Sequence, residues 1–278
     1  KWTADRSEAF ITDCHGRDHV TDAKMAFDAD GNITGMRTKT FAAMGAYLSN
    51  FSTCVPTYLH GTLMQGLYTT PAVHVDVTAV VTNTVPVDAY RGAGRPEATY
   101  GIERLMDTAA REMGMDPTEL RRKNFIPAFD GVNEPGYQTQ VALQYDSGNY
   151  EVNMDKALKV ADYESLKAER DKAKAEGRLV GIGFSTYIEA CGIAPSAVVG
   201  SLGARVGLYD AASIRVHPTG KVTAHVGAHA HGQGHETTFA QVIADAFGIG
   251  MDDVNIVHGD TENVPFGMGT YGSRSLAV

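Results

Sequence analysis

The sequence predicts an α+β protein, with mixed sheets and helices packed against them, and three observations predict it. β-branched runs with period-two alternation cluster before residue 83 and again after residue 178. Amphipathic helical stripes occupy most of the stretch between them. The composition, 43% hydrophobic and 21% charged over 278 residues, is that of a globular chain long enough for about two domains.

Lys24-Met25-Ala26-Phe27 and Ile33-Thr34-Gly35-Met36 flank Asp28-Ala29-Asp30-Gly31-Asn32, which reads as a hairpin turn. The Asp-x-Asp-x-Asn spacing starts like a calcium loop. It fails at the sixth position, Ile33 in place of glycine, and at the twelfth, Lys39 in place of glutamate. Residues 73–82 are rich in valine and threonine and read as a strand. A helix follows Arg95, with Ile102, Leu105, Met106, Ala109, Ala110 and Met113 on one stripe and Gly114 closing it. Asp116-Pro117-Thr118-Glu119 supplies an N-cap, a first-turn proline and an acid at N3 for a second helix running to about Phe125.

Residues 127–150 carry Pro127, Gly131, Pro135, Gly136 and Gly148 and read as loop, while 151–176 turn helical and charged, a solvated face. The expected organisation is therefore a first domain over 1–126, a linker and connecting helix over 127–176, and a second domain over 177–278. In that last part, 179–187, 212–216 and 221–226 read as strands, 235–247 as a helix ended by Gly248, and 254–257 as a short strand. The tail from Gly267 to Ser275 is rich in glycine and hydroxyl groups.

With 24 Lys+Arg against 33 Asp+Glu, the net charge of −9 argues against a nucleic acid or an anionic membrane as partner. Cys14, Cys54 and Cys191 form no disulfide framework and no CxxC pair. No apolar run reaches the ~18 residues of a membrane span and no signal peptide is visible, so a cytoplasmic protein is expected. Both ends, Lys1-Trp2-Thr3 and Ser275-Leu276-Ala277-Val278, read as cuts through a longer chain.

Three segments attract chemistry. His225, His229, His231 and His235 crowd together, but His235-Glu236-Thr237-Thr238-Phe239 misses the zinc pattern HExxH because Phe239 stands where the second histidine belongs. Ordinary loop or core histidines, some lining a pocket, are the favoured reading. The same stretch suits an anion better, because a strand runs into Gly232-Gln233-Gly234 and straight into a helix whose first N–H groups are free. Gly267-Met268-Gly269-Thr270-Tyr271-Gly272 matches GxGxxG, yet Pro265 spoils the preceding strand that a dinucleotide fold requires. Thr270, Ser273, Arg274 and Ser275 still suit a pyrophosphate. Finally, Tyr90-Arg91-Gly92-Ala93-Gly94-Arg95 places two guanidinium groups before a helix, either to clamp an anionic or carbonyl substrate or to pair with acids such as Glu97.

Taken together these segments resemble the molybdenum-binding large subunit of the xanthine oxidase / aerobic carbon monoxide dehydrogenase family. The residues that carry the resemblance are Ala89-Tyr90-Arg91-Gly92-Ala93-Gly94-Arg95-Pro96-Glu97-Ala98, Glu119-Leu120-Arg121-Arg122-Lys123-Asn124-Phe125 and Gly232-Gln233-Gly234-His235-Glu236-Thr237-Thr238. His258-Gly259-Asp260-Thr261 and Gly269-Thr270-Tyr271-Gly272-Ser273-Arg274-Ser275 continue it in order. The resemblance implies parts of two molybdopterin-binding domains and a molybdopterin cytosine dinucleotide, or plain molybdopterin as in some eukaryotic members. It implies cofactor contacts from Gly232, Gln233, Gly234, His235 and Thr238 and from Gly272, Ser273, Arg274 and Ser275. It also implies a Tyr90-Arg91-Gly92-Ala93 turn facing the molybdenum, with Arg91 orienting substrate and no protein side chain on the metal. The implied reaction is oxidative hydroxylation with water as the oxygen source. The implied partners are an iron–sulfur small subunit and an FAD-binding medium subunit, in a dimer of heterotrimers.

Two departures sharpen this expectation. Carbon monoxide oxidisers place a copper-holding cysteine in the turn after Tyr-Arg, where this chain has Gly92, so an aldehyde or an N-heteroaromatic substrate is expected ahead of carbon monoxide. The family's general base, a glutamate near the end of the full subunit, is not in this chain, nor is a glycine- and phenylalanine-rich cofactor motif. A central fragment, inactive alone, is therefore expected; the reading from another class is a cofactor-free scaffold fragment.

Overall fold

The computed structural model describes residues 2–50, 52–133, 135–192, 196–201 and 208–277. It divides into two units, 1–188 and 189–278. The first unit opens with α1 (Arg6–Thr12), whose cap Asp5 accepts from the Glu8 N–H at 2.8 Å. The expected hairpin forms from β1 (His19–Phe27) and β2 (Ile33–Gly45), with Met25 opposite Met36. Asp28 shapes the turn, its carboxylate accepting from the N–H groups of Asp30 at 3.0 Å and Asn32 at 2.8 Å. β2 runs on past the expected Met36 and pairs in parallel with β3 (Val73–Val81), giving the order β1-β2-β3. A π-helical turn (Cys54–Leu59) and α2 (His60–Thr62) lie in the crossover between those parallel strands.

The core of this unit sits between the buried face of β2 and α3 (Arg95–Met113), with Ile33 and Met36 meeting Ala98, Ile102, Met106 and Ala110 around Met64 and Tyr68. Gly114 ends α3 at φ +65°, and α4 (Pro117–Asn124) starts on Asp116, which accepts from the Thr118 N–H at 2.8 Å. Buried Asn124 ties α4 to the hairpin, accepting from the Ile33 N–H at 2.7 Å and donating to the Gly31 carbonyl at 2.9 Å.

Three expectations change here. The loop-like stretch contains two short antiparallel ladders, β4 (Phe129–Asp130) with β7 (Ser147–Gly148) and β5 (Tyr137–Gln138) with β6 (Gln144–Tyr145). The charged helix is broken into α5 (Tyr150–Ala161) and α6 (Tyr163–Ala175) at Asp162, which turns the chain at φ +48°. Both helices belong to the first unit, which ends after Ile188. The expected strand over 179–187 pairs with no strand among the described residues. Its polar groups go to side chains: the buried Glu103 carboxylate accepts from the Thr186 N–H at 2.9 Å and its hydroxyl at 2.9 Å, and Arg121 donates to the Phe184 carbonyl at 3.4 Å. Period-two alternation specifies an extended backbone, not the neighbour it bonds to.

The second unit contains α7 (Ser196–Ser201) and a three-stranded sheet in the order β10-β9-β8. β8 (Ala212–Val216) is antiparallel to the central β9 (Val222–Val226), and β10 (Val254–Val257) is parallel to it. The crossover carries α8 (His235–Phe247), which buries Ala240 and Ala244 and ends at Gly248. The loops after β9 and β10 therefore leave the carboxyl ends of parallel strands, where open α/β sheets place their ligand sites.

Candidate functional site

In the first unit the chain enters the Tyr90 turn beside a segment that sequence reasoning did not single out. His15 bridges to Val87, and the Asp88 N–H donates to the His15 carbonyl at 2.9 Å. The turn itself is tight: the Ala93 N–H donates to the Tyr90 carbonyl at 2.7 Å and the Arg95 N–H to the Gly92 carbonyl at 3.1 Å. Gly92, Ala93 and Gly94 all lie in the left-handed region, at φ +97°, +41° and +91°. Arg91 is exposed and its guanidinium has no ion-pair partner among the described residues. The acid expected beside the arginines, Glu97, lies 3.8 Å from Arg17. That same guanidinium covers the Tyr90 ring at 4.7 Å and donates to the Arg91 carbonyl. Arg17 stands 74 positions from Arg91, so no local signal announced it.

Behind the turn lies a buried polar cluster. His60 Nε2 meets Thr40 Oγ1 at 3.2 Å, and its ring sits edge-on to His19 with 4.6 Å between centroids. Burial, with a smaller push from His19, lowers His60 to about 4, and burial lowers His19 as well.

In the second unit the two predicted loops meet. Thr270 donates its hydroxyl to the His229 carbonyl at 2.5 Å. Further back, Gly227 and Gly267 cross so closely that a Cβ on Gly267 would fall 2.1 Å from the Gly227 carbonyl oxygen. Gly267 is thus a packing glycine, pressed against the Gly227 main chain. Gly232 and Gly234 are different: a Cβ on either would meet no described atom within 4 Å. Gly234 caps α8 at φ +76°, its carbonyl receiving the Thr237 and Thr238 N–H groups at 3.1 Å each, and the Thr238 hydroxyl adds a bond at 3.3 Å. The N–H groups of Gly234 and His235 have no partner among the described residues.

Side chains frame those donors. Gln233 accepts from the His231 N–H at 2.7 Å, and its amide nitrogen meets His231 Nε2 at 3.0 Å. His235 is buried, stacks on Phe239 at 4.9 Å, and its Nδ1 has no partner among the described residues; burial first, then His258, holds its imidazole below the usual value. Glu236 bonds its own N–H and meets His258 Nε2 at 2.7 Å, which hold its carboxyl low. Ser273, at φ +50°, donates to Glu189 at 2.8 Å, while Gly272 and Ser275 are half-buried in the same loop. Arg274 departs from expectation. It is 1% exposed, donates to the Leu208 carbonyl at 3.1 Å, reaches Asp210 at 3.5 Å and lies over Tyr271 at 4.3 Å. Its charge braces the loop from inside, held by the Leu208 carbonyl and the Asp210 carboxylate as a buried guanidinium requires. A cleft of about 310 Å³ lined by His217, Lys221, Asp252 and Asn255 lies at the amino ends of β9 and β10, opposite these loops.

Comparisons with known proteins bear on the family and the fold. Two family models, each described as a molybdopterin cofactor-binding domain, match residues 1–125 and 156–278. The chain is 40% identical to the carbon monoxide dehydrogenase large chain of Hydrogenophaga pseudoflava, over 100% of this chain and 34% of that one. It is 31% identical to the nicotine 6-hydroxylase large subunit of Paenarthrobacter nicotinovorans, again over 100% of this chain and 34% of the relative. The crystal structure of quinoline 2-oxidoreductase from Pseudomonas putida 86 superposes with a TM-score of 0.86 at 32% identity, covering 98% of this chain and 34% of that one. The chain thus spans about a third of the length of the relatives it matches. With both halves matched and the fold shared, the chain belongs to the molybdenum-binding large-subunit family of xanthine oxidase and aerobic carbon monoxide dehydrogenase.

Proposed function

We propose that this chain is a segment of the large subunit of a molybdenum hydroxylase, which transfers oxygen from water to an aldehyde or an N-heteroaromatic substrate. The observation that carries the reading is the meeting of the two second-unit loops through Thr270 and the His229 carbonyl. It gathers unpartnered helix N–H groups, open glycines and hydroxyl groups on one rim, the donor set a pyrophosphate-bearing pterin needs. The residues present therefore fit a molybdopterin cytosine dinucleotide.

Gly232, Gln233, Gly234, His235 and Thr238 would hold that cofactor together with Gly272, Ser273 and Ser275, while Arg274 fixes the loop that presents them. When bound, the cofactor supplies the redox chemistry and a metal that activates water. The N–H groups of Gly234 and His235 give fixed donors that need no reorganisation as charge arrives. In the first unit, Tyr90, Arg91, Gly92 and Ala93 are proposed to serve the substrate, with the exposed Arg91 guanidinium orienting it. No side chain of this chain is proposed as metal ligand or general base, and turnover is proposed for the full subunit and not for this segment alone. An iron–sulfur subunit and an FAD subunit would take the electrons, in a cytoplasmic dimer of heterotrimers.

Oxidation of carbon monoxide is the second reading, favoured by the 40% identity to a carbon monoxide dehydrogenase large chain and opposed by Gly92 in the turn. Elemental analysis and pterin fluorescence of the full-length complex test the first claim; a complex without molybdenum would leave only a cofactor-free scaffold. Dye reduction with quinoline, benzaldehyde and carbon monoxide separates the substrates. Turnover of carbon monoxide alone would overturn the hydroxylase assignment.

A further inference from the structure

We propose that Arg17 is a positioning residue for the Tyr90 turn, acting on Arg91 through its main chain; this rests on the reading of Arg91 as the group that orients substrate. The guanidinium of Arg17 makes three contacts at once. Nη2 donates to the Arg91 carbonyl, the plane of the group covers the Tyr90 ring at 4.7 Å, and Nε lies 3.8 Å from the Glu97 carboxylate. Glu97 belongs to the first turn of α3, the helix that the Tyr90 turn leads into. One planar cation thus spans the turn from its exposed carbonyl to the helix behind it, a task for which a lysine ammonium lacks the fork.

The backbone is bent to deliver it. Arg17 sits at φ +64°, a region that side-chain-bearing residues rarely adopt, and Gly16 passes so close that a Cβ there would lie 2.8 Å from Tyr90 Cβ. The Arg91 side chain has no ion pair of its own among the described residues. The place from which it projects is set by its main chain, and Arg17 holds that main chain at the Arg91 carbonyl, beside the turn's own Ala93–Tyr90 and Arg95–Gly92 bonds. The Glu97 contact is long and the Arg17 side chain is 30% exposed, so the carbonyl bond and the ring cover carry the effect, not the charge pair.

Hydrogen exchange of the peptide covering 88–95 in the full-length complex, compared among wild type, Arg17→Met and Arg17→Lys, tests this directly. Loss of one charge-assisted hydrogen bond predicts about tenfold faster exchange in Arg17→Met, with partial recovery in Arg17→Lys. Peptides from the later turns of α3 should not change. Unchanged exchange over 88–95, or equal acceleration throughout α3, would overturn the proposal. With whichever of quinoline or benzaldehyde is turned over, Arg17→Met should raise KM about tenfold with kcat nearly constant, and the Arg17→Met/Arg91→Met pair should be no worse than Arg91→Met. If Arg91→Met itself changes neither constant, the reading of Arg91 fails, while the exchange result still decides the role of Arg17.

Discussion

Gly94 and Gly234 do the same local job in the two units. Each follows a Gly-x, each caps a long helix, and each lies in the left-handed region, at φ +91° and +76°. Around them everything differs. A Cβ on Gly94 would lie 2.7 Å from the His60 nitrogen, 2.8 Å from the Val55 oxygen and 2.9 Å from the Leu59 carbonyl carbon. A Cβ on Gly234 would meet nothing within 4 Å among the described residues. In the first turn the N–H groups of Ala93 and Arg95 are consumed locally; at the second the N–H groups of Gly234 and His235 are free of described partners. One Gly-x-Gly is thus a packing device that fixes a side-chain platform, and the other is an open rim with donors to spend. A glycine spacing read alone does not distinguish them.

The comparison can be broken in several ways. The largest effect should come from Arg121→Met, which removes the cation bonded to buried Glu103 at 2.9 Å and leaves that carboxylate only the neutral donors of Tyr68 and Thr186. Breaking such a pair costs about 3–5 kcal/mol, read as a lower urea midpoint at constant slope. A cost under about 1 kcal/mol would mean the first unit is not pinned as described.

Acid should come next. The neutral His60 imidazole, lowered to about 4 by burial, refuses a proton that the unfolded chain accepts below its ordinary 6.5. Stability is then complete above pH 6.5, falls as the pH drops toward 4 and levels off below, by about 3 kcal/mol in all. A His60→Gln variant should lose that slope, and a wild-type stability flat from pH 7 to 4.5 would contradict the burial.

Gly94→Ala should cost about 3 kcal/mol, from left-handed strain and backbone overlap together, whereas Gly234→Ala carries the strain alone at about 1 kcal/mol. Equal costs would erase the distinction between the two turns. Smallest in stability is Gln233→Ala, within about 0.5 kcal/mol of wild type because the side chain is exposed. It should nevertheless lower the molybdenum content of the full-length complex, and an unchanged content would remove Gln233 from the cofactor site.

Much of the local structure was legible because its signals are local. Asp28 and Asn32 wrote the hairpin turn, Asp116 and Pro117 opened α4, and Gly114 and Gly248 ended their helices. The stripe on α3 named Ile102, Met106 and Ala110 as buried, while Met113 at its end stays 40% exposed. What escaped depends on neighbours distant in sequence. The later half of β2 buries Thr38, Thr40, Ala42 and Met44, a mixed set with little contrast to read. The stretch over 179–187 carried a strand pattern, but its bonding partners turned out to be Glu103 and Arg121. At the site, the loops around Gln233 and Ser273 were legible as segments; that Thr270 joins them, and that Arg274 points inward, was not.

The sequence by itself determined the class, the ends of α3, α4 and α8, and the family, because caps, turns and ordered motifs are written in contiguous residues. Only the tertiary structure decided which glycines are crowded and which are open, which arginine is buried and which exposed, and that Arg17 stands under the Arg91 turn. The reason is physical: burial and hydrogen-bond partnership belong to pairs of segments brought together by the core, and a single segment does not specify what will be packed against it.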